Sequence, residues 1–196
     1  MKVLLVIEAA GGGTGRHVVD LARALSSDGH DVHVVYSPVR AEPAFTQELH
    51  ESDGLKIATV AMRRGPHPAD LTSLLKLRRY VKDNGPFDVI HGHSSKAGAL
   101  VRLLKLTMIG PATVVYTPHA IRTLDPTQSA ISRAVWKLIE KTLGRCLTDA
   151  LIAVSPDEHA HIIRHRIVNA SRVHLCLLYT SPSPRDQRGS RMPSSA

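Results

Sequence analysis

Cysteine, aromatic side chains, acidic residues and long apolar runs are all scarce in this sequence, and each scarcity removes a class of protein from consideration. Only two cysteines are present, Cys146 and Cys176, too few for a disulfide framework and without the spacing of a zinc ligand set. Cys146 lies among apolar residues, where a buried, inert thiol is expected. Aromatics make up 4% of the chain, so basic residues are not interleaved with stacking platforms, which argues against a nucleic-acid partner. No stretch reaches the roughly 18 apolar residues needed to span a bilayer. The first apolar run, Val3 to Ile7, follows a single basic residue and breaks at Glu8, too short for the core of a secretory signal. A cytoplasmic location is therefore expected. The 17 acids are outnumbered by 25 lysines and arginines, for a formal charge of +8. Such a balance favours polyanionic partners: nucleotide diphosphates or an anionic lipid surface.

What is present is a regular alternation of apolar strands and amphipathic helices. Val3 to Ile7 is a continuous apolar run, as expected of a central strand buried on both faces. A glycine loop, Gly11 to Gly15, follows it. Val18, Val19, Leu21, Ala22 and Leu25 then recur at helical spacing until Asp28-Gly29. Further strands are predicted at Asp31 to Tyr36, Leu55 to Val60, Phe87 to His91, Thr113 to Thr117 and Ala150 to Val154, with another beginning at Arg172. Helices are predicted on the stripe Leu71, Leu74, Leu75, Leu77 and Val81, over Lys96 to Leu106, and over Ser129 to Leu147, where Trp136 is expected in the core. This order predicts an α/β fold with a doubly wound, Rossmann-like parallel sheet covered on both faces. Ligands of such sheets bind beyond the carboxyl ends of the strands, which singles out four loops: Ala9 to Gly15, Gly92 to Ser95, Pro118 to Thr123 and Ser155 to Asp157.

From Cys176 the composition changes abruptly to CLLYTSPSPRDQRGSRMPSSA, rich in Ser, Pro and Arg. On composition alone this is a disordered tail. Residues Cys176 to Asp186 also resemble one reading frame of a transposon-end sequencing adaptor, and Ser190 to Ala196 the flow-cell primer that follows it. The expectation is a native segment over residues 1–175 and a non-native tail over 176–196. Without the tail's three arginines and one aspartate the charge is still +6.

The loop AAGGGTGRH brings backbone amides to a helix N-terminus, where Gly12, Gly13, Thr14 and Gly15 would favour a bound anion such as a diphosphate. A tight turn needing glycine only for geometry is the alternative. Gly15 is followed by Arg16-His17 rather than Lys-Ser/Thr, which excludes a Walker A loop. A dinucleotide fingerprint from Gly11 fails at position 16, and no acid ends the second strand. In FDVIHGHSSKAG, His93, Ser94 and Lys96 suit phosphate or sugar hydroxyls, while Ser94 or Ser95 as a helix cap and His91 as an interior imidazole are the structural alternatives. The pair His91 and His93 would need a third metal ligand, and the sequence offers none nearby, so no metal site is expected. In VVYTPHAIR, His119 is placed to bind a sugar hydroxyl or share a proton, and Arg122 to reach an anion or simply solvent. Ser155 and Glu158 have the form of a capping box. Lys76, Arg78, Arg79 and Lys82 make a basic helix face, either solvated or apposed to anionic lipid.

The glycine loop, HGHSSKAG, TPHA and AVS, in that order, resemble the N-terminal domain of family 4 glycosyltransferases over essentially residues 1–175. The resemblance implies the N-terminal, acceptor-side half of a GT-B fold, with no cofactor and no obligatory metal. It implies transfer of a sugar from a nucleotide-sugar donor to a glycan or polyprenyl-linked acceptor, as in envelope or exopolysaccharide synthesis, usually with retention; the basic helix face adds the expectation that this cytoplasmic enzyme sits peripherally on the inner face of the cell membrane. It places Gly12, Gly13 and Thr14 near the donor diphosphate and makes His119 the catalytic-site histidine. His93, Ser94 and Lys96 would shape the acceptor side. The basic pair and E-x7-E motif of the family's donor-binding domain do not occur in this sequence, so the chain as it stands is expected to be inactive. A non-catalytic acceptor- or membrane-binding module is one alternative. The N-domain of a nucleotide-sugar epimerase is another, though the loops offer only Glu8, Asp125 and Asp157 as acids.

Overall fold

A computed structural model of the chain describes residues 1–107, 110–121, 123 and 129–177. Arg122, Asp125 and the tail from residue 178 lie outside the described residues. Seven strands, β1 (Lys2–Ile7), β2 (Asp31–Tyr36), β3 (Leu55–Thr59), β4 (Val89–His93), β5 (Thr113–Thr117), β6 (Ala150–Ala153) and β7 (Val173–Leu175), form one sheet in the order β3-β2-β1-β4-β5-β6-β7. Every pairing is parallel. The helices are α1 (Gly12–Ser27), α2 (Pro43–His50), α3 (Asp70–Asn84), α4 (Ser95–Leu104), α5 (Ala130–Leu147) and α6 (Pro156–Arg164). The predicted doubly wound sheet is therefore found, and its order reverses between β1 and β4, the point at which such sheets open a crevice for ligand.

Strand alternation divides the core into two layers. Val3, Leu5 and Ile7 of β1 and Val32 and Val34 of β2 pack with Val18, Val19 and Ala22 of α1 and with Phe45 and Leu49 of α2. Leu4, Val6, Ile90 and Val114 point the other way, to Leu77 of α3 and Leu100, Val101 and Leu104 of α4. Close approach in the second layer depends on two glycines. A Cβ on Gly92 would come within 2.7 Å of the Gly98 Cα, and one on Gly98 within 2.2 Å of the Tyr116 ring; only hydrogen at both positions lets α4 lie this close to β4 and β5.

Several sequence expectations shift. The fourth strand runs over Val89–His93 rather than Phe87 to His91, because its pairing with β1 starts at Val3 opposite Val89 and ends at Ile7 opposite His93. The glycines Gly12, Gly13 and Gly15 are not a loop but the first turn of α1. Helix α2, between the second and third predicted strands, has no counterpart in the sequence reading; Pro43 opens it, and Phe45 and Leu49, four apart, bury its inner face. Cys146 is exposed, not buried, since α5 turns Glu140, Leu143 and Gly144 to the protein. Trp136 is half-buried rather than central, and Leu71 and Leu75 are exposed on the flank of α3 while Leu77 carries the burial.

Candidate functional site at the sheet switch point

Three histidines from three elements meet at the β1/β4 edge. His93 ends β4, His119 follows β5, and His17 stands in the second turn of α1. His93 Nδ1 and His119 Nε2 are 3.1 Å apart. The His17 ring lies 5.7 Å from that of His93 and 5.2 Å from that of His119, centroid to centroid. His91, two residues back on the same strand face, stacks on His93 at 4.0 Å and bonds through Nε2 to Thr117 Oγ1 at 2.8 Å, the satisfied interior histidine that one reading of the sequence allowed.

Burial keeps this cluster uncharged. It pushes His91 down to about 3, reinforced by His17 and His119, and His119 down to about 3, reinforced by His17. It holds His93 well below the ordinary imidazole value and lowers His17, whose neighbour Asp20 works against the shift. Neutral imidazoles offer one N–H and one lone pair each, the equipment for hydrogen bonding to hydroxyl groups rather than for pairing with phosphate.

The loops that carry the cluster are held in backbone conformations that side-chain-bearing residues rarely adopt. Ser94 has φ 75°, His119 φ 53° and Ala120 φ 78°, and such strain persists only where neighbours enforce it. For His119 the enforcing group is Glu158, 2% exposed, whose Oε1 accepts from the backbone N–H groups of Ala120 at 3.1 Å and Ile121 at 2.8 Å. Its Oε2 accepts from Val154 N at 3.0 Å. Ser155 Oγ does accept from Glu158 N at 3.2 Å, as a capping box requires, but the carboxylate leaves its own helix to clamp the His119 loop. For Ser94 the neighbours are Thr117 O, which accepts from Ser94 N at 3.1 Å, and Glu8 Oε2 at 3.5 Å from its hydroxyl. Arg40 Nη1 in turn donates to Glu8 Oε1 at 2.9 Å.

The glycine turn reaches the same edge, with a different occupant from the one its amides suggest. Gly12 N donates to Glu42 Oε2 at 3.0 Å, so a carboxylate of the chain itself sits at the N-terminus of α1. Gly12 has φ +52°, with nothing within 4 Å of a Cβ built on it, and the turn is open to solvent at Gly12 and Gly13. Lys96 departs from the cluster: its ammonium pairs with Asp70 of α3. It lines a largely apolar groove of about 490 Å³ with Ala99, Leu103, Trp136 and Leu138.

The structure thus brings His93, His119, Ser94 and the Gly12–Gly15 turn together and commits Lys96 elsewhere. His17, Glu42 and Glu158 were missed as site residues. His17 was legible in one respect: it lies four residues after Gly13, hence on the same helix face as the turn. The pair His91 and His93 gains no third ligand, since His91 is bonded to Thr117; α1 and the β5 loop instead bring His17 and His119 to His93 from far along the chain.

The chain's relatives agree on architecture. The family model described as glycosyl transferase 4-like domain matches residues 12–176. An uncharacterized 41.2 kDa protein in the cps region of Klebsiella pneumoniae is 30% identical over 166 residues, which cover 81% of this chain and 41% of that protein. Among solved structures, sucrose-phosphate synthase from Thermosynechococcus elongatus superposes with a TM-score of 0.62 at 16% identity, over 98% of this chain and 53% of that one. The lipopolysaccharide outer core galactosyltransferase WaaB gives 0.61 at 13%, over 95% and 50%. UDP-GlcNAc 2-epimerase from Neisseria meningitidis gives 0.54 at 14%, over 89% and 46%. The chain spans about half the length of these structures and about two fifths of the Klebsiella protein.

Proposed function

The chain belongs to the glycosyl transferase 4-like domain family, and from that premise we propose that it forms the acceptor-side half of a glycosyltransferase that moves a sugar from a nucleotide-sugar donor to a glycan or polyprenyl-linked acceptor. The observation that carries this reading is the neutral cluster of His17, His93 and His119 at the switch point, on loops strained into place. His119 is the residue assigned to the transferred sugar or the incoming hydroxyl: an uncharged imidazole accepts a hydroxyl proton's hydrogen bond without first losing its own. His93 orients His119 through the 3.1 Å contact. The α1 turn, at Gly12 to Gly15, faces the donor phosphates. Donor nucleotide and sugar are held mainly by residues outside this chain, which is why the chain alone is expected not to turn over.

A role in exopolysaccharide synthesis is supported by the relative in a cps region. A peripheral place on the cytoplasmic face of the membrane is part of this proposal, with the exposed Ile131, Val135 and Leu138 of α5 as the side that would meet lipid. No helix among the described residues is long and apolar enough to cross a membrane.

The test is release of nucleoside diphosphate from a panel of nucleotide sugars, with and without lipid-linked acceptor, by the longer reading frame recovered from source DNA across codon 175. His119→Ala should lower kcat about 100-fold or more, the scale of a lost acid–base or positioning group, with the fold intact by circular dichroism. Turnover unchanged by that substitution removes His119 from the site. Interconversion of the nucleotide sugar without acceptor would support the epimerase reading instead, which the shared fold admits.

A further inference from the structure

The imidazole trio has a property that hydroxyl recognition does not require. One ligand nitrogen from each of His17, His93 and His119 can be chosen so that all three lie within 4.8 Å of one another. The 3.1 Å between His93 Nδ1 and His119 Nε2 is close to the ~3.3 Å that separates two nitrogens on a tetrahedral zinc ion with Zn–N bonds of about 2.0–2.1 Å. The third nitrogen belongs to His17, which is half-buried and lies beside both other rings. His93 is 0% exposed at the base of the cluster, with its Nδ1 edge toward His119.

We propose that His17, His93 and His119 form a binding site for one late first-row divalent cation of the zinc class. Three imidazoles with no carboxylate in the set select zinc, cobalt, nickel or copper over magnesium, calcium or manganese, which want oxygen ligands. Three protein ligands leave a fourth coordination position, facing the loops at the strand ends, as in open zinc sites. Such an ion sits on the same nitrogens that the transfer reading assigns to acceptor hydroxyls, so it would block that use of them. The inference shares residues with that reading but does not depend on it, and binding is measured on the chain alone.

The experiment is titration of the chelator-treated 196-residue protein with Co2+, followed by its visible absorption, and with Zn2+ in competition with a chromophoric chelator. The expected result is one ion per chain at micromolar affinity or tighter, with the intense absorption of four-coordinate cobalt. His17→Gln and His119→Gln should each weaken binding at least tenfold while far-ultraviolet circular dichroism and Tm show a folded protein. Two control variants should bind as the parent does: Cys146→Ser/Cys176→Ser, which removes both exposed thiols, and His161→Gln/His165→Gln, which removes the other close histidine pair, 4.4 Å between centroids. Absence of stoichiometric binding overturns the proposal. So does binding that survives His17→Gln and His119→Gln, or that disappears in either control.

Discussion

Arg102 and Glu140 make a buried ion pair whose removal by halves and as a whole should give opposite results. Arg102 is 0% and Glu140 1% exposed, with Nη1 donating to Oε2 at 2.8 Å. The guanidinium also donates through Nε to Gly98 O at 2.9 Å and lies 4.0 Å over the Tyr116 ring. The Tyr116 hydroxyl donates to Glu140 Oε1 at 3.1 Å, and burial with the Glu140 charge pushes that hydroxyl well above the ordinary phenol range. Arg102 Nη2 has no partner among the described residues, so the guanidinium is not fully satisfied even with Glu140 in place. Glu140→Gln leaves a cation in the interior with no counter-charge, and Arg102→Met leaves a carboxylate with one phenol; each should cost about 3–5 kcal/mol. Arg102→Met/Glu140→Leu removes both charges and fills most of the volume, and should recover most of that loss. Urea midpoints by circular dichroism measure this, with Tm falling roughly 6–20 °C in the single variants at about 2–4 °C per kcal/mol. Losses that simply add in the double variant would refute the reasoning, because they would mean that each group is stabilised by something other than its partner.

Two other residues give predictions of different kinds. Glu158→Ala strips the acceptor from three backbone N–H groups, of which that of Ile121 is buried, at a cost of about 1–3 kcal/mol, and the Ala120 and Ile121 amides should lose hydrogen-exchange protection beyond the global change; equal protection would show that the His119 loop is held by something else. His161 bonds Thr123 Oγ1 at 2.7 Å and faces His165, Lys137 and Arg164, and burial above all pushes it down from 6.5 to about 4. A depressed histidine supplies stability that is whole above the unfolded value and declines as pH falls from 6.5 toward 4. With discount for its solvent exposure the loss is on the order of 1 kcal/mol. His161→Gln should therefore narrow the difference between urea midpoints at pH 7 and pH 5, and an unchanged difference would place the pH sensitivity elsewhere.

The parallel sheet was legible because a strand buried on both faces must be apolar throughout, and Val3 to Ile7 and Thr113 to Thr117 nearly are. Their ends were less so. Gly92 and His93 read as a loop because histidine and glycine carry no strand signal, and only pairing with β1 and β5 makes them strand. Helix α2 was hidden by its length of eight residues, in which two buried apolars do not rise above a loop background. His93 and His119 could be picked out because both fall just where strands end. His17 sat inside a helix whose apolar stripe drew attention to other residues, and Glu158 looked complete as a cap on its own helix. The contacts that matter for both span long stretches of chain, which no local pattern encodes.

Three acids at the switch-point edge, Glu8, Glu158 and Glu42, are each committed to a partner among the described residues, and this bears on the donor side of the proposed reaction. Glu8 holds Arg40, Glu158 holds the His119 loop, and Glu42 holds the Gly12 amide. Of the three, only Glu42 occupies a position that a phosphate would want. Its partner Gly12 N is at the positive end of α1, its own side chain is exposed, and the contact closes no core. A diphosphate entering the turn must displace that carboxylate, and an exposed anion at a helix N-terminus is worth about 0.3–1 kcal/mol. Glu42→Ala should then leave stability within about 0.5 kcal/mol and tighten pyrophosphate binding to the chain about two- to fivefold, read by isothermal titration at low ionic strength. Glu48→Ala removes an acid that pairs with Arg16 at 3.2 Å instead, and it controls for the general change in charge. If both variants bind pyrophosphate alike, the α1 turn is not where the phosphate goes, and the donor must be held without it.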